Sequence, residues 1–202
     1  MANRLLPFRQ YDENDVINLF ANDASDAKST TDSNGSAGVF VSIKSGGGNF
    51  SKDPITYIDR AELSASYSHT KNQYPEVQLK VAAAVGAAKA GEVIGLTVKQ
   101  TLETDENGEK LLYNPRKAAE MGVVIPGQAI PIASRGVFLY RSSDSDWTGS
   151  TIAPNTPLYG AANGVIHDAS GSSAVRVGTA LGLEGAVDSG GYVAALIKIE
   201  LG

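Results

Sequence analysis

The residues that could carry out chemistry are few and far apart in this 202-residue chain. The two histidines, His69 and His167, are about a hundred residues apart, and neither has a carboxylate at a known metal-ligand spacing. There is no cysteine, which removes disulfides, thiolate nucleophiles and thiolate metal ligands together. No Gly-x-Ser-x-Gly sequence is present to form a serine nucleophile elbow. We therefore expect no enzymatic activity, no cofactor and no metal site.

Two acidic pairs and one glycine run are the remaining candidates for ion binding. Asp144 and Asp146 begin like an oxygen-ligand calcium loop, but the later Gly and Glu that such a loop needs are missing. Asp105 and Glu106 precede a turn and are interpreted as solvated loop carboxylates. The glycine run 46–48 is not followed by the Lys-Ser/Thr pair of a phosphate-binding loop. The sequence predicts ordinary loops at all three places.

The composition describes a protein that can bury a core of its own. Hydrophobic residues make up 42% of the chain and charged residues 19%, with a net charge of −5. No Lys/Arg cluster is present to neutralise phosphates, which argues against a nucleic-acid partner. No apolar run approaches the roughly 18 residues of a membrane span, and the N-terminus lacks the apolar core of a secretory signal. We expect a soluble protein made in the cytoplasm, with no membrane partner.

Short β-branched and aromatic runs predict the fold class. Gly, Pro, Asn and Ser separate them, which is typical of a mainly β body: a β-barrel, a β-tulip or a sandwich. The Asn107-Gly108 pair predicts a hairpin turn, after which Leu111–Tyr113 returns as a strand. The predicted strands cover residues 38–43, 77–81, 92–103, 128–133, 136–141, 156–159, 164–167, 174–181 and 192–201.

A single short helix is predicted after this turn. Asn114 is a good N-cap and Pro115 suits the first helical position. Gly122 can end the helix in a left-handed conformation. Because the helix is only about two turns long, it must dock on the sheet to persist.

The first 36 residues differ in composition from the rest. An apolar tip is followed by the polar tract 21–36, which has almost nothing to bury, so we interpret residues 1–36 as an N-terminal arm and tether. The alternative is an edge strand followed by a surface loop. The β-rich body then spans 37–202, divisible into an accessory part, 37–90, and a barrel, 91–202. The candidate interface residues are Arg4, Leu5, Leu6, Phe8, Arg9, Val16, Ile17, Leu19 and Phe20, together with the loop residue Trp147. Trp147 has the alternative role of capping one end of the barrel.

The C-terminal half resembles a known family. In order and spacing it is similar to the head decoration proteins, or capsid cement proteins, of tailed bacteriophages. The stretch 105–120 also looks like the larger members from marine phages. The resemblance covers roughly residues 90–201 and is carried by segments 131–139, 155–159, 163–166, 175–181 and 193–199.

This resemblance implies a function and partners. It implies a non-enzymatic structural protein on the outer surface of the virion, which binds an expanded capsid and cements neighbouring coat subunits. The partner would be the phage major capsid protein, with Arg4 and Arg9 available to pair with its carboxylates, and the expected assembly is a homotrimer at local threefold positions. Two other classes stay open: a structural protein of the phage tail or fibre, and a carbohydrate-binding β-sandwich.

Overall fold

The computed structural model describes residues 5–18, 20–21, 37–43, 77–81, 93–125, 128–143, 152–160, 164–168, 175–183 and 191–201. Within these residues the chain forms two six-stranded sheets, a separate pair of short strands and one short α-helix. The prediction of a mainly β fold with one short helix is confirmed.

The first sheet is antiparallel throughout, with strand order β1-β10-β14-β13-β11-β12. Its centre is a ladder of two nine-residue strands, β10 and β14. Numbered along the whole chain, its strands are β1 Leu5–Gln10, β10 Arg135–Ser143, β11 Pro157–Gly160, β12 Ile166–His167, β13 Arg176–Leu183 and β14 Tyr192–Glu200.

The second sheet has strand order β2-β9-β6-β4-β5-β3 and is antiparallel except for β3, which pairs parallel to β5. Its strands are β2 Val16–Ile17, β3 Phe20–Ala21, β4 Phe40–Ile43, β5 Val77–Val81, β6 Val93–Thr97 and β9 Ile132–Ala133. The described residues of the predicted accessory part therefore lie in one sheet with strands from the rest of the body. A parallel pair remains, β7 Gln100–Thr101 and β8 Val123–Val124.

The main core lies between the two sheets. Along β14, buried residues alternate with more exposed ones, as expected for a strand with one face on a core. From this strand Val193, Ala195, Ile197 and Ile199 point inward, and they belong to one cluster with Phe40 of the second sheet. The other face of the second sheet carries a separate apolar cluster of Val41, Leu79, Val124, Ile130 and Ile132.

The chain between β6 and β9 differs in part from its prediction. The strand predicted over 92–103 ends at Thr97, because the chain leaves the sheet there and resumes pairing only at Gln100. The turn at Gly108 is confirmed, with φ of +83°. The return of Leu111–Tyr113 as a strand is wrong: these residues form a 3-10 helix whose Leu111 side chain is buried. Burial of that side chain in a small local core outweighs continued strand pairing.

The predicted helix is confirmed as α1, Pro115–Glu120. The side chain of Asn114 accepts a hydrogen bond from the backbone N–H of Lys117 at 3.2 Å, which caps the first turn. Gly122 follows the helix with φ of +66°. The inward-facing residue of the helix, Ala118, docks it on its surroundings.

Gly178 in β13 supplies a test of this packing. At Gly178 the chain lies so close to β14 that an added Cβ would collide with the carbonyl oxygen of Lys198. We expect Gly178→Ala to lower the free energy of unfolding by about 1–3 kcal/mol, since the ladder must separate locally. Urea unfolding followed by far-ultraviolet circular dichroism measures this change.

The matched control is Gly182→Ala in the same strand, where an added Cβ meets no atom within 4 Å. We expect its stability to stay within about 0.5 kcal/mol of the parent. An equal loss in both variants would show that close strand approach is not the reason for glycine at position 178.

Candidate interaction surfaces

Residues 5–17 form a strip that passes from one sheet to the other, here called the corner ribbon. Its first part, β1, pairs with β10, and its last part, β2, pairs with β9. A 3-10 turn, Glu13–Asp15, joins the two parts. Since β9 and β10 are separated only by Ser134, two neighbouring chain segments cross the same corner side by side. The ribbon is therefore part of both sheets.

Ser134 holds this corner together. Its backbone N–H and its hydroxyl both donate to the carbonyl of Asp15, at 2.9 and 3.1 Å. Its own carbonyl accepts from the N–H of Leu201 at 3.0 Å, just beyond the last strand. Three segments that are distant in sequence thus meet at one residue.

The corner ribbon corrects the interpretation of residues 5–17 as a separate arm. The side chain of Leu5 is 1% exposed and belongs to the main core, so it is not available to a partner. Leu6, Val16 and Ile17 are half-buried along the paired strands. The apolar residues of this segment are used to cover the open edge of the core, which corresponds to the edge-strand alternative.

Arg9 is also engaged within the chain. Its Nη1 donates to the carbonyl of Val98 at 2.8 Å, which joins the ribbon to the second sheet's side of the molecule. A weaker contact at 3.4 Å joins Nε to the carbonyl of Leu6. The guanidinium is half-buried and hydrogen-bonded within the chain. This geometry does not favour its predicted pairing with carboxylates of the coat protein.

Phe8 is the more exposed of the two exposed aromatic residues of the ribbon, with half of its surface accessible. Leu5 pairs with Tyr140 and Arg9 with Phe138, so four steps along β1 match only two along β10. The extra residues form a bulge that includes Pro7, which has no N–H to offer. This edge is blocked for strand addition, and a partner would be contacted through side chains instead.

Tyr11 follows at the end of β1 and is also exposed. Its ring stacks on that of Phe138, with 5.9 Å between the ring centroids and 20° between their planes. Beneath it, Gly136 has φ of +149°, and a Cβ there would come within 2.9 Å of both Gln10 and Tyr11. The absence of a side chain at Gly136 therefore lets the ribbon lie close against β10.

The structure describes little or nothing of the remaining candidate interface residues. Phe20 lies in β3, whose backbone pairs with β5, and its side chain is outside the described part. Arg4, Leu19 and Trp147 lie outside the described residues. Their assignment to an interface stays a prediction.

A second unit, here called the excursion, is formed by residues 98–131, of which 126–127 are outside the described part. It connects β6 and β9, which are direct neighbours in the second sheet. At its base the N–H of Val98 donates to the carbonyl of Pro131 at 3.0 Å. It has its own small core, made of Leu102, Leu111, Ala118 and Ile125.

Asp105 fastens the turn of the excursion to its helix. Its Oδ1 accepts from the N–H groups of Asn107 and Glu109, both at 2.8 Å, and its Oδ2 pairs with Nζ of Lys117. The same ammonium lies 3.2 Å from Glu106. The side chain of Asp105 is fully buried, so the interpretation as a solvated loop carboxylate is wrong for this residue.

The ion pairs shift the pKa values of this cluster. The hydrogen bond from Lys117 lowers the pKa of Asp105 against the opposing effect of burial, and Asp105 in turn raises the pKa of Lys117. The carboxylate thus adds stability above the ordinary pKa of about 4, and this is lost as the pH falls through its lowered value. The ammonium adds stability below about 10.4, lost as the pH rises through its raised value. The cluster is fully charged across the neutral range.

The excursion presents one strongly exposed aromatic side chain. Tyr113 is 80% exposed on a 3-10 turn that is anchored by the buried Leu111. Met121 is exposed at the other end of α1. Neither residue was singled out in the sequence, because exposure of an isolated apolar residue leaves no periodic signal.

The described residues contain no group of three or more His, Cys, Asp or Glu side chains that could hold a metal ion. No helix in the same part of the chain is long and apolar enough to cross a membrane. The geometry of the described part offers surfaces for contact and no cluster arranged for metal chemistry.

Replacing Asp105 tests whether this cluster fastens the excursion. In Asp105→Ala the N–H groups of Asn107 and Glu109 lose their acceptor, so we expect faster amide hydrogen exchange across 105–120, while β10 and β14 keep their protection. Hydrogen exchange read by mass spectrometry measures both regions.

The matched control for this measurement is Arg116→Gln, which breaks the exposed pair between Arg116 and Glu120 in the same helix. We expect no change from it, because exposed helix pairs contribute little. Unchanged exchange in Asp105→Ala would contradict the fastening role.

No family model, no curated protein and no solved structure matches this chain.

Proposed function

We propose that this chain is a structural protein of a bacteriophage virion, which binds the outer surface of an expanded capsid and cements neighbouring coat subunits. It acts as a non-enzymatic homotrimer, with the major capsid protein as its partner. Two lines support the proposal. One is the resemblance of residues 90–201 to capsid decoration proteins, and the other is a β body that holds exposed aromatic side chains in fixed positions.

The observation that carries the proposal is the placement of Phe8. Half of its surface is exposed, although the strand that bears it is locked to the body by pairing and by the buried Leu5. An aromatic residue fixed in this way loses little conformational entropy when a partner covers it. Aromatic anchors of this kind are enriched at the centres of protein interfaces.

On the repeating lattice of a capsid, a small contact of this kind is sufficient for stable attachment. Covering a large apolar side chain completely contributes about 1.5–3 kcal/mol, and covering the exposed half contributes less. A trimer that engages three equivalent coat sites at once multiplies these contributions through effective concentration. Cementing therefore needs no large interface on each subunit.

Removal of the whole N-terminal segment is a poor test of this proposal. It would delete β1 and β2 and leave the site of Leu5 open to water, so that attachment and folding would fail together. A point substitution at an exposed position separates the two effects.

Phe8→Ser is the test substitution. We expect the parent chain to cosediment with expanded, undecorated heads of its phage, saturating at a fixed ratio to coat subunits. Phe8→Ser should weaken this binding by about tenfold, since the ribbon loses its apolar anchor. Its circular dichroism should match that of the parent.

Tyr113→Ser is the matched control, because Tyr113 is an exposed aromatic residue on the excursion. Binding that is lost in Tyr113→Ser and kept in Phe8→Ser would assign the contact to the excursion instead of the ribbon. A folded parent chain that fails to bind the heads would contradict the capsid function itself.

A further inference from the structure

The outer face of the first sheet has an uneven distribution of charge. The central strands β10, β13 and β14 carry five charged side chains, all on the face away from the core. Glu200 is the acidic one, and the four cations are Arg135, Arg141, Arg176 and Lys198. On a chain with a net charge of −5, this face stands out as basic.

Three of these cations surround the single carboxylate. Arg135 is the direct cross-strand partner of Glu200, and Nζ of Lys198 lies 3.1 Å from its Oε2. Lys198, and after it Arg135 and Arg176, lower the pKa of Glu200, so all three act on one site. One carboxylate cannot neutralise three cations, and the group keeps an excess of positive charge.

Two arginines of this group, Arg176 and Arg135, are exposed. Arg176 is exposed and donates from Nη2 to the hydroxyl of Thr179 at 3.0 Å, which fixes its direction along the sheet. Arg135 is exposed at the start of β10. The carboxylate that they face is paired with Lys198, which is itself about half exposed.

Apolar residues lie beside the cations on the same face. Leu139 and Leu196 pair across β10 and β14, and both are half-buried. Val137 pairs with Lys198 and leads from the leucines to the charged group. Leu181, at the bulge of β13, is exposed. A strip of apolar surface with cations along one end is the composition of an interface with a polar rim.

Phe8 lies at the border of this surface. Successive side chains of a strand point to opposite faces, and Arg9 points inward to Val98. Gln10, the next residue, is exposed and pairs with Val137 of the outer face. Phe8 precedes Arg9 within the bulge of β1, and its exposed side chain lies at the edge of the sheet, next to β10.

We propose that this outer face, from Phe8 across Leu139 and Leu196 to Arg135, Arg176 and Lys198, docks on an acidic protein surface. This inference deepens the proposed function. It rests on that function only where it identifies the acidic surface as part of the coat protein. The excess of cations favours an acidic partner. The apolar strip favours a protein, because a protein surface can cover it with apolar side chains. Nucleic acid is disfavoured, because the leucines of this face would gain nothing against a phosphate backbone.

The first experiment uses poly-L-glutamate immobilised on a biosensor, which needs no knowledge of the coat protein. We expect the chain to bind at about 20 mM salt and to dissociate by about 200 mM, where charges on exposed groups are screened. The double variant Arg135→Glu/Arg176→Glu should bind at least about tenfold more weakly, because like charges then oppose each other. Circular dichroism checks that the variant is folded.

The matched control is Lys99→Glu/Lys110→Glu, which makes the same change in net charge at two exposed positions of the excursion. A similar loss in both double variants would overturn the proposal, since only net charge would then matter. Duplex DNA on the same biosensor is the other probe. Stronger binding to DNA than to poly-L-glutamate through Arg135 and Arg176 would also overturn it.

The same variants on expanded heads separate the two proposals. Loss of cosedimentation in Arg135→Glu/Arg176→Glu, with retention in the lysine control, supports both. If Phe8→Ser abolishes binding to the heads but the arginine variant does not, the capsid function stands and the acidic partner is wrong. If the parent binds poly-L-glutamate through these arginines but does not bind the heads, the proposal of an acidic partner is supported and the proposed capsid function is wrong.

Discussion

The ladder between β10 and β14 is the constraint on which the other parts of the structure depend. The two strands pair without interruption from Arg135 with Glu200 to Ser143 with Tyr192. One face of this ladder supplies the centre of the main core, and the other supplies the basic outer face. Since side chains alternate strictly along a strand, a slip of one residue would exchange the two faces. The core and the outer face are thus set by one register.

The position of the corner follows from this ladder. At the end where β10 begins, Ser134 binds both Asp15 of the corner ribbon and Leu201 beyond β14. The ribbon can cross from one sheet to the other only because Gly136 leaves room beneath it. Its bulge at Pro7 then removes the hydrogen-bonding edge that a six-stranded sheet would otherwise expose. The bulge at Pro7 therefore both closes the edge of the sheet and exposes Phe8.

The sequence predicts individual strands well and their partners poorly. The ladder strands and the capped helix α1 are recognisable because their signals are local: an apolar alternation, an Asn-Pro start and a following Gly. Leu5, in contrast, pairs with Tyr140, and no local pattern reveals a partner so distant in sequence. An apolar tip before a polar tract has the same composition whether it is an arm or an edge strand.

Asp105 shows the same limit in the candidate surfaces. Beside Glu106 it resembles any solvated acidic turn, and only the docking of α1 brings Lys117 to it and buries its side chain. The excursion also cannot be recognised as a unit from the sequence. It is defined by the pairing of β6 with β9, which its own residues do not encode. Exposed contact residues such as Phe8 and Tyr113 depend on these long-range pairings for their placement.

An outer face that extends across several strands suits recognition of a surface better than recognition of a small molecule. Its residues are positioned by the ladder before any partner arrives, so binding orders few additional groups. Charge complementarity then accelerates encounter and sets orientation more than it adds affinity. With Glu200 held between Lys198 and Arg135, the cations keep defined positions instead of spreading into solvent. If this face meets many identical acidic surfaces side by side, as we propose, weak single contacts are strengthened through effective concentration.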